Sequence, residues 1–440
     1  MTRIKLKMGI AALAALGAAC AAAASIVEQT VRSKAAGVDV IVYPMGVKDI
    51  VTVVGSLPAG DSYAAQGNIA AATLVGMLLD KGTTKQDKFA IAQQLDDVGA
   101  QLSFDVGAQT MSVRARFLKK DLPLVMRLMA EQMRTPAFSN EEFAKAKTQF
   151  EASVRQAQQN VNYRAGEAFS RAAYPVGHPN RHYELNEWLA ATDKLSVDDL
   201  KAFHKKYYGP AYFNLIFVGD VNAKQIQKEV SKAFAGWSGG VDVVRTAQGS
   251  ALQAPSEQTI RLADKTSVAV LLGQPTGLRY ADADSLALRV GTSILGSDFT
   301  SRLMSAVRDK EGLTYGIRAG MADDTFVDGS WSISAAFSPK LVDRGLISTR
   351  RELDKWWQGG VTAAELEARK TNIVGSYQVS LATTGGMAGA MLQTLNRGKS
   401  LAWLDEYPNA IKALTVEQVN AAIKKHLDPQ KMILIEAGTL

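Results

Sequence analysis

The sequence predicts an α+β protein of two homologous halves, each a mostly antiparallel sheet with helices packed on one face. Three observations carry that reading. Blocks of sequence recur in the same order about 220 residues apart, apolar residues alternate at period two in paired runs, and long helical stretches open on capping residues.

The recurrence sets the organisation. Leu195-Ser196-Val197-Asp198-Asp199-Leu200, followed by Lys205-Lys206 and Pro210, returns 219 residues later as Leu414-Thr415-Val416-Glu417-Gln418-Val419, Lys424-Lys425 and Pro429. MSVRARF at 111–117 returns at a shift of 220 as WSISAAF at 331–337. Phe138-Ser139 with Glu142 and Phe143 returns at 223 as Val361-Thr362 with Glu365 and Leu366. A period this long indicates duplicated domains rather than a solenoid. The halves are expected at 25–236 and 257–440, with a linker at 237–256 rich in Gly, Ser and Ala and poor in periodicity.

Taken in order, residues 1–24 read as a secretory leader. Arg3, Lys5 and Lys7 start it, an apolar run to about Cys20 follows, and Ala22-Ala23-Ala24 is the small-residue cleavage site before Ser25. The run is shorter than the roughly 20 residues that span a bilayer, so a soluble, periplasmic mature chain is expected. Cys20 is the only cysteine, and Gly17-Ala18-Ala19 before it lacks the leucine of a lipoprotein signal, which argues against a lipid anchor. Cleavage after Ala24 leaves no thiol and no disulfide. Strands are expected at 38–43 and 51–54, then a helix over 68–81 that runs into Gly82-Thr83. Leu102, Phe104 and Val106, then Met111, Val113 and Ala115, alternate about Gly107 as in a hairpin. Ser139-x-x-Glu142 is a capping box opening a helix to about Gln158, and Thr362-x-x-Glu365 opens its counterpart. Residues 301–316 read as a helix closed by a glycine turn and followed by a strand.

Composition narrows the function. The apolar fraction of 47% and the charged fraction of 21% are those of an ordinary folded protein. The net charge of +7 falls to +4 without Arg3, Lys5 and Lys7, and no basic block or aromatic-interleaved basic patch supports nucleic-acid binding.

Arg308 closes the last turn of that helix and Tyr315 opens the strand. A fixed cation and a phenol on neighbouring element ends suit the gripping of a peptide carbonyl or a developing oxyanion. The residues alone leave a second possibility open, in which Arg308 pairs with Asp309 or Glu311 and Tyr315 packs. His178 and His182 are four apart, but Pro179-Asn180 makes a loop of them rather than a ligand-bearing helix face. His204 and His426 are expected at helix surfaces beside their lysine pairs. Thr384-Gly385-Gly386-Met387-Ala388-Gly389 is read as a packing contact or a mobile turn rather than a phosphate cradle, and no nucleophile–base pair stands out.

The run from Ile294-Leu295-Gly296 through Phe299, Ser301-Arg302-Leu303 and Arg308 to Gly312-Leu313-Thr314-Tyr315 resembles the second-half signature of the M16 (insulinase-type) peptidases. So does the Met77-Leu78 and Gly82-Thr83 helix ending, and the resemblance covers about 38–440. It implies the M16/LuxS-like metallohydrolase fold. In that family the first-half helix carries H-x-x-E-H, two zinc-binding histidines and the glutamate that activates water. Here the corresponding positions are Ala72, Val75 and Gly76, none of which binds zinc or accepts a proton. The further family carboxylate falls at Ser153 with Glu151 beside it, and Ser103-Phe104 stands where active members have the Asn-Ala pair of a substrate-binding edge strand.

What the resemblance implies is therefore a non-catalytic subunit. It binds no metal itself and pairs as a heterodimer with an M16 chain that carries H-x-x-E-H and zinc. Arg308 and Tyr315 would hydrogen-bond peptide or unfolded-protein substrate in the partner's site. The alternative is a structural or peptide-binding M16 paralogue with no part in catalysis.

Overall fold

The computed structural model describes residues 25–64, 68–245 and 255–440. The expected leader at 1–24, with Cys20, and residues 246–254 of the expected linker lie outside the described residues.

The first sheet contains β1 (Val31–Ala35), β2 (Val38–Pro44), β3 (Ile50–Leu57), β4 (Gln101–Val106), β5 (Met111–Leu118) and β6 (Asn214–Gly219), in the order β1-β2-β6-β3-β5-β4. The second contains β7 (Ser256–Arg261), β8 (Val268–Pro275), β9 (Thr314–Ala322), β10 (Ser330–Phe337) and β11 (Ile433–Gly438), in the order β7-β11-β8-β10-β9. Apart from β1 the two orders coincide. Each sheet is antiparallel except for one parallel contact, β2 with β6 and β7 with β11. The expected hairpin is present, with Leu102 opposite Ala115 and Phe104 opposite Val113, and it makes β4 an edge strand.

The duplicated capping residues do the same work in both halves. Ser196 caps Val197–Tyr207 in a reciprocal box with Asp199, and Thr415 caps Val416–His426 with Gln418. Thr362 and Glu365 form the full box that opens Ala363–Leu381. Ser139 accepts the Glu142 N–H at the start of Asn140–Gln158. The Glu142 carboxylate, however, goes to Lys88 at 2.9 Å and Lys145 at 3.0 Å instead of closing that box.

The expected helical layer covers one face of each sheet. Val40, Val42, Val51, Val53, Leu215 and Phe217 pack on the first half's own helices, among them Ala71–Leu78 and Leu122–Arg134. Val268, Val270, Leu272, Ile333 and Leu434 pack on helices of the second, among them Ser285–Gly296 and Val342–Gly359. The opposite faces are covered too, and each cover comes from the other half. Met387, Ala388 and Met391 of Thr384–Asn396 sit on Ile41, Tyr43, Val54, Ile216 and Val218 of the first sheet. Ala165, Ala168 and Phe169 of Val161–Ala173 sit on Ala269, Ile433, Ile435 and Ala437 of the second. The two covering helices begin 223 residues apart, on the caps Asn160 and Thr383. This exchange explains why β2, β6, β8 and β11 read as nearly continuous apolar runs: both faces of each are buried.

The Gly-rich stretch at 384–389 is the first turn of one covering helix. A Cβ on Gly386 would lie 1.8 Å from the Ser380 carbonyl oxygen, so glycine there permits close contact between successive helices. A buried polar clasp also joins the halves. His178 Nδ1 accepts the Asn180 N–H at 3.1 Å, so Nε2 is the nitrogen that carries a proton, and it donates to Asp328 at 3.0 Å. Asn180 donates onward to the carbonyls of Asp323 at 2.8 Å and Asp328 at 2.9 Å.

Candidate functional site

Three sequence expectations meet where the chain leaves the second half's inner helices. The segment before Tyr315 is helical as expected, but Met304–Lys310 is a π-helix, wider than the α-helix the spacing suggests. It closes with Gly312 at φ +64°, its N–H donating to Arg308 O at 3.0 Å and that of Leu313 to Val307 O at 3.0 Å. Glycine meets no steric penalty in that left-handed conformation.

Tyr315 follows at the start of β9, on a bulge. Ile317 pairs with Ala335 and Thr314 with Phe337, so Tyr315 and Gly316 together oppose the single residue Ala336. The Thr314 hydroxyl ties the bulge, donating to Ala336 O at 2.6 Å and accepting the Gly316 N–H at 3.2 Å. A bulge re-aims the side chains it carries. Tyr315 is 90% exposed, and it lies beneath the Arg308 guanidinium at 5.4 Å from the ring centre. The same guanidinium lies over Phe299 at 5.1 Å, a ring that is itself 70% exposed.

The alternative for this pair is met only in part, since Arg308 forms a long ion pair with Asp309 while Tyr315 stays exposed. Tyr315 is not packed into the protein, and Glu311 is taken by Arg351 and by the Ser348 hydroxyl at 3.0 Å. Asp309 approaches Arg308 only to 3.9 Å, beyond hydrogen-bond range. Beneath the patch, Arg302 grips Glu365 with two bonds of 2.7 Å, and Arg369 pairs with Asp298. These ion pairs hold the Glu365 and Asp298 carboxyls down at about 2, and they fix the loop that carries Phe299.

At the other expected site the outcome is packing. The helix expected over 68–81 is only Ala71–Leu78. No side chain caps its start, because the N-cap residue is Ala70. Ala72 and Val75 are wholly buried in the first core. Gly76 lies against β4, and a Cβ there would meet Val106 Cγ2 at 2.4 Å. Glu151 pairs with Arg155 at 3.2 Å, and the Ser153 hydroxyl donates to Phe150 O at 2.6 Å. A zinc ion does not fit these residues: two positions carry only methyl groups facing the core, and the third has its side-chain space filled by a strand. Among the described residues no group of three His, Cys, Asp or Glu could hold a metal ion.

His204 is not at a free surface as expected. It stacks on Tyr208 at 4.6 Å, and its Nε2 lies 2.8 Å from Met133 O. His426 bonds Asp284 at 2.9 Å. Sequence reasoning passed over Asp61, which borders a cavity of about 580 Å³ lined also by Tyr163, His178, Tyr183 and Trp188. Its carboxylate accepts the Thr73 hydroxyl at 2.8 Å, and burial pushes its pKa up to about 7. Nothing in the local sequence Gly60-Asp61-Ser62 signals this, because the burial comes from remote segments.

Comparison with known proteins agrees with the geometry. Residues 45–184 match the model described as insulinase (peptidase family M16), and residues 194–373 match the peptidase M16 inactive domain. An uncharacterised zinc protease of Streptomyces coelicolor is 25% identical over 79% of this chain and 76% of its own length. The non-peptidase homologue YmxG of Helicobacter pylori is 21% identical over 84% of both chains. In fold the chain is similar to a peptidase M16 inactive domain from Pseudomonas fluorescens, with a TM-score of 0.84, 24% identity and coverage of 93% of this chain and 98% of that one. A protease from Helicobacter pylori gives a TM-score of 0.82 at 18% identity, with the same coverage. Among the described residues no helix is long and apolar enough to cross a membrane. With models of one family matching both halves, the chain belongs to the M16 (insulinase) peptidase family.

Proposed function

We propose that this chain is the non-catalytic, substrate-binding subunit of a two-chain M16 zinc peptidase that acts on peptides or unfolded segments in the periplasm. One observation carries the reading: Tyr315 is exposed and Arg308 partly so, the two lie together with no hydrogen-bond acceptor among the described residues, and the chain's own motif positions Ala72, Val75 and Gly76 are filled by packing. A purely structural paralogue needs neither side chain displayed.

The partner, an M16 chain with H-x-x-E-H, supplies the zinc that polarises the scissile carbonyl and activates water. This chain supplies orientation and charge stabilisation. The Arg308 N–H groups donate to a substrate backbone carbonyl near the scissile bond. The Tyr315 hydroxyl, aimed outward by its bulge, donates to the oxygen on which negative charge develops. The basic, apolar and small-residue sequence of 1–24 supports export to the periplasm.

The test is reconstitution with an H-x-x-E-H partner, most simply the M16 chain that co-purifies with this one. Peptide hydrolysis and stoichiometric zinc should appear in the pair and not in this chain alone. Chelator-sensitive hydrolysis by the pure chain would overturn the assignment. A partner as active without this chain as with it would favour the structural paralogue instead.

A further inference from the structure

The patch that holds Arg308 has a property that backbone recognition does not require. The guanidinium is positioned by two aromatic rings, Phe299 at 5.1 Å and Tyr315 at 5.4 Å. Contacts of a cation with ring faces fix its position without consuming a hydrogen-bond donor. Among the described residues no oxygen or nitrogen accepts a hydrogen bond from it, and its only carboxylate neighbour within 4.0 Å is Asp309 at 3.9 Å. No residue outside the described ones carries a side-chain carboxylate, so this chain holds no other acid that could neutralise it.

The acid best placed in sequence to do so, Glu311, is withdrawn. Arg351 and Ser348 both bind it, and Arg351 also donates to Ser348 at 2.9 Å. A planar cation with five unused N–H groups is matched by a planar anion that accepts two of them at once. The two exposed rings beside it offer apolar surface to whatever side chain adjoins that anion.

We infer that Phe299, Arg308 and Tyr315 form a carboxylate-binding site for peptides, which works in this chain without its partner. The inference rests on the reading of this patch as a substrate contact and narrows it to peptides that present a carboxylate. Arg351 is a positioning residue, which keeps the chain's own Glu311 from occupying the site.

The experiment is calorimetric titration of the full mature chain with three forms of one peptide that otherwise lacks Asp and Glu: the free acid, its C-terminal amide, and the amide with one internal Glu. The free acid should bind at least tenfold more tightly than the plain amide. If the Glu-containing amide binds like the free acid, the site takes a side-chain carboxylate. If it binds like the plain amide, the site takes the chain terminus. Arg308→Lys, which keeps the charge and loses the planar fork, and Phe299→Ala should each shrink the acid–amide difference several-fold with thermal midpoints unchanged. Arg351→Ala should weaken acid binding, and adding Glu311→Gln should restore it, which a merely structural role for Arg351 would not produce. Equal binding of acid and amide, or none of either at millimolar peptide, overturns the inference. The paired-peptidase test is separate: Arg308 variants that slow the pair while acid and amide bind alike would sink this inference and leave the proposed function standing.

Discussion

Arg351 holds the carboxylate of Glu311, and Arg308, three residues before it, has only the Asp309 carboxylate at 3.9 Å among the described residues. The Val342–Gly359 helix, through Arg351, thus takes up the acid that follows Arg308 in the same turn.

Arg308→Ala and Tyr315→Phe are expected to slow the reconstituted pair on the order of 10²-fold in kcat/KM, the usual cost of losing a donor to a developing oxyanion. Tyr315→Phe keeps the ring beneath Arg308 and removes only the hydroxyl, so its effect should fall mainly on kcat. Steady-state kinetics on both variants check this, and unchanged kcat/KM in both would point to a structural paralogue.

Gly76→Ala should destabilise the chain by about 1–3 kcal/mol although alanine is the better helix former, because the new methyl meets Val106 Cγ2. Val106→Ala removes the obstacle. The double variant should therefore lose less stability than the two single changes added together. Urea denaturation of all four proteins measures the coupling. By the same geometry, His at 72 and 76 with Glu at 75 should not rebuild a zinc site, and metal analysis should find no stoichiometric zinc.

Asp61 gives a pH dependence of defined sign. Its folded pKa is raised by burial to about 7 from an ordinary value of 3.8, so between those values the folded chain binds more protons than the unfolded one. The stability Asp61 contributes is complete below pH 3.8 and is lost as pH rises through 7. Asp61→Asn should flatten the change in denaturation midpoint between pH 4 and pH 7, and an unaltered profile would refute the assignment.

Met391 belongs to the second half but is buried on the first sheet. Met391→Ala should cost about 2–5 kcal/mol and raise amide exchange in β2 and β6. The mature chain should unfold in one cooperative transition, and residues 25–236 expressed alone should not give a stable domain. Calorimetry and hydrogen exchange distinguish this from two independently melting halves.

Much of this fold was legible where the signal was local or repeated. The capping residues Ser196, Thr362 and Thr415, the alternation about Gly107 and the shifts of 219 to 223 each specify an element or its copy. The exchange of covering helices was not legible. The apolar run at 38–43 says that both faces of β2 are buried, but the partners on one face come more than 340 residues later. The exposure of Tyr315 was hidden for a similar reason, since a bulge exists only in the register between two strands. The loss of Ala72, Val75 and Gly76 as ligands was evident from residue type alone, whereas the filling of that space by Val106 needed the packing.

The crossing of Val161–Ala173 and Thr384–Asn396 bears on why a first half without ligands persists at full size. That half accepts methyl groups where ligands would stand, because Ala72 and Val75 fill the space with core packing. It cannot be shed as a body. Its helix forms the roof over Ile433, Ile435 and Ala437, in the sheet whose far edge presents Tyr315. A shortened chain keeping only the half with Arg308 would expose that apolar surface to water and lose the footing of the residues it was meant to keep. The half without metal ligands is the footing on which the half with Arg308 and Tyr315 rests.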